Sequence, residues 1–150
     1  MSEITEVAGF AVALDRAYDP AGHFWVSMVG PAAARIGMDA LGVETSGTLA
    51  QLAFLPVGEP LKRGEAFGSL EAAKFVGPLT SPLSGTVTAT NDAVVVDPAL
   101  VERDPYGDGW LVELALADPS EVGELISGAA IPAWFTAEVE DYRLKGVLAE

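Results

Sequence analysis

Ala66-Phe67-Gly68-Ser69-Leu70-Glu71 and Phe75-Val76-Gly77-Pro78-Leu79 are two extended stretches joined around Ala72-Ala73-Lys74. Short apolar-rich runs broken by glycine and proline read as strands. Lys74 stands at the join, the only positive charge between Arg63 and Arg103. Its ordinary role would be a lysine whose stem covers apolar surface while its ammonium reaches water. The join lacks the Asn-Gly or Asp-Gly pair that most strongly marks a two-residue hairpin turn. Spacing alone therefore assigns Lys74 no chemistry.

The same punctuation continues outward on both sides. Most of the 16 glycines and 10 prolines lie within residues 30–128, which points to many short strands. His23–Val29 reads as a strand, and Thr48–Leu55 as another, closed by the turn Pro56-Val57-Gly58. Thr86-Val87-Thr88-Ala89-Thr90 alternates strictly, the pattern of a half-buried strand. After the turn Asn91-Asp92, Ala93–Val96 reads as a buried strand, and Trp110–Leu116 as a further apolar one. Asp97-Pro98 opens a short helix near residues 98–102, with Asp97 as its N-cap. Asp118-Pro119-Ser120-Glu121 carries the signs of a helix over 119–126. A last helix is predicted over 132–145, where Ile131, Phe135, Val139 and Tyr142 share one stripe and Lys145 complements the helix dipole. Residues 1–22 are ambiguous as far as the turn Asp19-Pro20-Ala21-Gly22. The division is thus an N-terminal segment 1–22, a domain 23–128 and a helical extension 129–150 packed on it.

Charge and composition exclude several classes. Against 8 lysines and arginines stand 22 aspartates and glutamates, a formal charge of −14. Such a chain is unsuited to phosphate backbones and anionic membrane surfaces, so neither nucleic acid nor membrane is expected as a partner. Without cysteine there is no disulfide, thiolate nucleophile or thiolate metal site, and a single histidine, His23, leaves no multi-histidine metal site. No catalytic constellation can be assembled. No apolar run approaches the roughly 18 residues of a membrane span, and Glu3 and Glu6 stand where a signal peptide needs positive charge. The expectation is a cytoplasmic domain whose redox or transfer chemistry, if any, is supplied from outside the chain.

The string Gly64-Glu65-Ala66-Phe67-Gly68-Ser69-Leu70-Glu71-Ala72-Ala73-Lys74, followed by Ser81-Pro82-Leu83-Ser84-Gly85, resembles the lipoylation site of the glycine cleavage system H protein family. That family reads Glu-Ser-Val-Lys-Ala and then Ser-Pro-Val/Ile/Leu-Ser-Gly. His23-Phe24-Trp25-Val26 resembles its His-Glu-Trp-Val, and Ala34-Arg35-Ile36-Gly37 its Ala-Arg/Thr-Val-Gly-Ile. Asp104-Pro105-Tyr106-Gly107-Asp108-Gly109-Trp110-Leu111 resembles its Pro-Tyr-x-x-Gly-Trp-Leu/Met. The resemblance spans roughly residues 20–130 and rests on several independent motifs.

It implies a mainly β fold, a lipoyl-domain-like barrel-sandwich hybrid of short antiparallel strands with short helices and a C-terminal helix. It implies lipoic acid bound covalently to Lys74 by an amide at an exposed hairpin tip, the cofactor bringing the sulfurs the chain lacks. Glu71 would be the acidic determinant read by a lipoate ligase or lipoyl transferase. Gly58 and Gly85 match glycines that shape the hairpin and its recognition, although a turn needing positive φ would explain either one. The chain would carry and not catalyse, with dihydrolipoamide dehydrogenase among its partners. Trp25 and Trp110 read as core residues.

The departures bear on the cargo. In H proteins the aminomethyl-loaded arm folds into a cleft with a glutamate and an aspartate where this chain has Phe24 and Pro78. Each carboxylate lost forgoes a charge-assisted hydrogen bond of about 1.5–3 kcal/mol. On that ground the sequence favours a sister group, the lipoate-binding proteins of sulfur oxidation, which work with a heterodisulfide-reductase-like complex. The alternatives are the aminomethyl carrier of the glycine cleavage enzymes and, from another class, an unlipoylated binding or scaffold module.

Overall fold

Residues 3–148 are described by a computed structural model, and their strands fall between the predicted breakers. In chain order these are β1 (Ile4–Val7), β2 (Phe10–Ala13), β3 (Ala17–Asp19), β4 (Phe24–Gly30), β5 (Ala33–Met38) and β6 (Leu49–Phe54). There follow β7 (Pro60–Leu61), β8 (Ala66–Ala72), β9 (Val76–Thr80), β10 (Gly85–Thr90) and β11 (Val112–Leu116). The helices are α1 (Ala40–Ser46), α2 (Asp92–Val96), α3 (Ala99–Arg103) and α4 (Ile131–Leu144).

A six-stranded sheet ordered β3-β4-β5-β11-β10-β7 faces a three-stranded sheet ordered β6-β8-β9, and every pairing is antiparallel. Alternation along the strands decides what lies between them. Phe24 and Val26 of β4 point inward to meet Phe67 and Leu70 of β8 and Leu52 of β6, all buried in one core. Trp25, one residue along, points to the opposite face. Past the end of β6 the chain crosses to the larger sheet, where Gly58 N–H donates to the Val87 carbonyl (2.8 Å) and Val87 N–H to the Glu59 carbonyl (3.0 Å). This is the flattened barrel-sandwich arrangement with a C-terminal helix.

A second core lies on the outer face of the larger sheet. There Tyr18 and Trp25 pack with Val12 and Ala13 of β2 and with Ile131, Phe135 and Val139 of α4. The predicted stripe of the last helix is the face it buries, with Tyr142 half-buried at its end. The ambiguous N-terminal residues close this core as a hairpin, β1 against β2. Among the described residues no helix is long and apolar enough to cross a membrane.

Two local expectations are corrected. Ala93–Val96 is part of helix α2, not a buried strand, because Asn91 caps it. The Asn91 Oδ1 accepts the Ala93 N–H (3.2 Å), while its Nδ2 donates to the carbonyls of Asp108 and Trp110 (2.8 and 2.7 Å). Only Val94 of that run is buried. Asp97 stands before Pro98 at the start of α3, where its carboxylate accepts from the Ala99 N–H and also pairs with Arg103 (2.8 Å). The expected helix over 119–126 is a 3-10 turn, Pro119–Glu124. Glu121 leaves the capping-box role and accepts hydrogen bonds from Ser84 N–H (2.8 Å) and Oγ–H (3.0 Å), while Ile126 is drawn into a bridge with Tyr18.

Candidate functional site

Lys74 lies at the tip of the β8–β9 hairpin, closed by Ala72 N–H donating to the Phe75 carbonyl (2.8 Å). The absent Asn-Gly pair has a structural explanation. Neither Ala73 nor Lys74 adopts positive φ. Instead, their N–H groups donate to the carbonyls of Thr48, just beyond α1, and Ser46, its last residue (both 2.9 Å). Tertiary hydrogen bonds hold a tip that local turn chemistry would not. The backbone is anchored while the side chain is exposed, and its ammonium forms no ion pair among the described residues.

The stem of Lys74 runs across Gly47. A Cβ at Gly47 would stand 3.2 Å from the lysine Cγ and 3.5 Å from Cδ, and Gly47 itself has φ +77. Glu71, exposed on β8, sits opposite Val76 at the last pair of the hairpin. The structure thus brings Glu71 and Lys74 to one tip. Gly58 and Gly85 lie elsewhere and are shaped by different demands. Gly58 has φ +97 with open space around it. Gly85 has no positive φ and is required by close approach, since a Cβ there would strike the Ala115 carbonyl. Gly85 follows the far end of the hairpin, where Ala66 pairs with Thr80.

Three clefts border the hairpin, one of them, of about 260 Å³, lined by Glu71, Val76 and Gly77 among others. Of the other two, the first, of about 280 Å³, is lined by His23, Phe24, Met38, Phe75, Pro78 and Tyr142 among others. Phe24 and Pro78 do face one cleft together, as the resemblance implied. The second, of about 620 Å³, is lined by Phe10, Val43, Glu44, Gly47, Lys74 and Glu102 among others. Its two carboxylates were not singled out in the sequence, because they belong to different helices and converge only through packing.

His23 is the other feature that sequence left unread. Its ring is buried, with Nδ1 2.9 Å from Asp39 Oδ2 and Nε2 2.9 Å from Glu138 Oε1 of α4. Burial lowers the His23 pKa, but Asp39 and then Glu138 outweigh it, so the net shift is upward from 6.5. The protonated ring donates to both carboxylates and ties α4 to the barrel, with Trp134 stacked on it at 5.4 Å. His23 does this from φ +56, a region uncommon for a side-chain-bearing residue. Partners 16 and 115 residues away leave no local signal in the sequence. Trp25 is buried with its Nε1 donating to the Pro105 carbonyl (2.8 Å), and Trp110 is half-buried under the guanidinium of Arg35.

Comparison with known proteins covers most of this framework. A family model described as glycine cleavage H-protein matches residues 16–138. A glycine cleavage system H protein of Gloeobacter violaceus is 43% identical over 93 residues, 61% of this chain and 72% of that protein. One from Cyanothece is 37% identical over 118 residues, 79% of this chain and 88% of that protein. The crystal structure of a glycine cleavage system H protein from Mycobacterium marinum superposes with a TM-score of 0.69 at 31% identity, covering 90% of this chain and 99% of that one. These matches overturn the expectation of a sulfur-oxidation carrier. That expectation rested on two side chains in one cleft, whereas the likeness to glycine cleavage proteins runs through both sheets and into α4.

Proposed function

This chain belongs to the glycine cleavage H-protein family, and from that premise we propose that it is the aminomethyl carrier of a glycine cleavage system, with lipoic acid joined to Lys74. The observation that carries the reading is an exposed lysine on an anchored hairpin tip, three residues after an exposed glutamate. Converting its amine to an amide breaks no ion pair among the described residues, so the site fits the group. When bound, the lipoyl group supplies a dithiolane able to exchange between disulfide and dithiol.

The residues of the chain have the remaining tasks. Ser46 and Thr48 fix the root of the arm through the tip's backbone, so that it projects from a constant place. Gly47 leaves room for the lysine stem. Phe75 and Val76, both exposed, flank the lysine with apolar surface for an enzyme to grip. Glu71 offers the modifying enzyme a carboxylate at a fixed distance along the strand. Gly58 keeps its turn at positive φ, and Gly85 lets β10 lie close to β11. The partners of this reading are a lipoate ligase or lipoyl transferase, the glycine cleavage enzymes and dihydrolipoamide dehydrogenase, in the cytoplasm. Tethering serves such a carrier by raising the local concentration of the arm's end at each partner. The −14 charge favours rapid encounter with basic surfaces over lasting binding. Association with a partner should accordingly slow as salt rises, measured by stopped-flow; rates indifferent to salt would remove that role.

Intact mass after coexpression with a lipoate ligase tests the attachment. One lipoyl increment is expected, absent in Lys74→Arg. No increment, or one that persists in Lys74→Arg, would overturn the reading in favour of a scaffold module.

A further inference from the structure

Ser46 and Thr48 hold the Lys74 tip by their carbonyls, so the tip is only as well placed as they are. Ser46 is the last residue of α1, and Gly47 and Thr48 continue the chain into β6. α1 has seven residues. A helix of two turns cannot hold itself, because below roughly 12–15 residues the hydrogen bonds gained do not offset the cost of nucleation. Whatever secures its first turn therefore decides whether its last residue stays in place.

One residue secures most of that first turn. The fully buried carboxylate of Asp39 accepts the N–H of Gly42 (2.8 Å) and that of Leu41, and the Asp39 carbonyl accepts the Val43 N–H (3.0 Å). Only the Ala40 N–H goes elsewhere, to the Tyr106 hydroxyl (3.1 Å). Asp39 is itself bound twice to His23. Its N–H donates to the His23 carbonyl (2.9 Å), and its Oδ2 lies 2.9 Å from the ring nitrogen Nδ1. The helix also lies against His23 at Gly42, where a Cβ would stand 3.2 Å from both the His23 Cβ and its carbonyl oxygen. The Gly42 carbonyl in turn accepts the Ser46 hydroxyl (2.8 Å), which ties the end of α1 to its first turn. Contacts thus run without a break from His23 through Asp39, Gly42 and Ser46 to the main chain of Lys74.

We propose that Asp39 is a positioning residue for the Lys74 arm, acting through α1. One oxygen of its carboxylate faces the His23 ring and the other faces the helix whose end seats the arm. The buried pair then does more than seat α4: it fixes the start of the short helix that carries the acceptors of the tip. The inference rests on the lipoyl reading of Lys74 for the arm that is positioned, and adds the buried group that keeps its root in place.

Amide hydrogen exchange of the unmodified chain, followed by NMR, tests it at three consecutive residues. Ala72 donates to the Phe75 carbonyl within the hairpin, whereas Ala73 and Lys74 donate across to Thr48 and Ser46. In Asp39→Ala, exchange at Ala73 and Lys74 should quicken roughly tenfold relative to Ala72, the scale of a lost N-cap. Asp39→Asn still offers a capping oxygen and should restore most of the protection. Ser46→Ala keeps the carbonyl that Lys74 uses and removes only the tie to Gly42, leaving the buried pair and the fold intact. There the Lys74 amide should exchange roughly threefold faster, the scale of one hydrogen bond. An unmoved Lys74 amide in Ser46→Ala would overturn the inference even if Asp39→Ala failed to fold. Equal acceleration of all three amides, or an Asp39→Asn chain as loose as Asp39→Ala, would also overturn it and leave the lipoyl reading untouched. Intact mass after coexpression with a lipoate ligase is the separate readout. A chain that takes up no lipoyl increment would overturn the lipoyl reading and leave Asp39 no arm to position.

Discussion

At His23 both ring nitrogens are bonded to carboxylates and the ring is buried, whereas at Lys74 the backbone is bonded and the side-chain nitrogen is exposed. Both residues depend on distant chain: His23 on Asp39 and Glu138, the Lys74 tip on Ser46 and Thr48. What differs is the group that the contacts immobilise. Around His23 they fix a side chain and through it the seat of α4. Around Lys74 they fix only the main chain, so the side chain can change covalently without disturbing the fold. Stability should therefore respond to the first region and modification to the second.

The largest effect should come from His23→Ala. It leaves the fully buried Asp39 carboxylate without its charged partner, and breaking such a pair costs about 3–5 kcal/mol. The urea midpoint should fall accordingly; a midpoint unchanged from wild type would mean that the clamp contributes nothing. A second, smaller effect concerns pH. Burial lowers the His23 pKa while Asp39 and Glu138 raise it to a net value above 6.5, so the native state keeps a proton that the unfolded chain releases near 6.5. Stability from this source is complete below that pH and is lost as pH rises through the folded value. Unfolding free energy should decline over that window in wild type and lose that decline in His23→Gln.

The glycines give a finer contrast. Gly58→Ala should cost about 1–2 kcal/mol from its positive φ alone, since nothing stands near the added methyl. Gly85→Ala drives a methyl into the Ala115 carbonyl and should cost more, by the same urea measurement. The smallest effect belongs to the tip. Lys74→Arg should change stability by no more than about 0.5 kcal/mol, because it alters an exposed side chain that makes no ion pair among the described residues. A larger loss would show that the lysine is structural.

What could be read in advance follows the same division. The Lys74 hairpin was legible because its short apolar-rich strands are set off by glycine and proline and its motif is contiguous. Its turn was not explained, since the donors and acceptors that hold it come from residues 46–48. Ala93–Val96 misled through its β-branched run; the cap by Asn91 is local, but the carbonyls that fix Asn91 lie at Asp108 and Trp110. Glu121 looked like half of a capping box until Ser84 competed for it across the fold. The N-terminal hairpin was unreadable because its apolar residues are completed by α4 at the other end of the chain. Phe24 and Pro78 misled because two side chains in one cleft were weighed above a likeness that runs through both sheets and into α4.

The most direct test of the central claim is uptake of label. Lipoylated protein is incubated with a glycine decarboxylase and glycine labelled at its methylene carbon, and the bound label is counted after the small molecules are removed. Label should attach stoichiometrically to wild type and be absent from Lys74→Arg. A lipoylated chain that acquires none would contradict the assignment of this carrier to glycine cleavage.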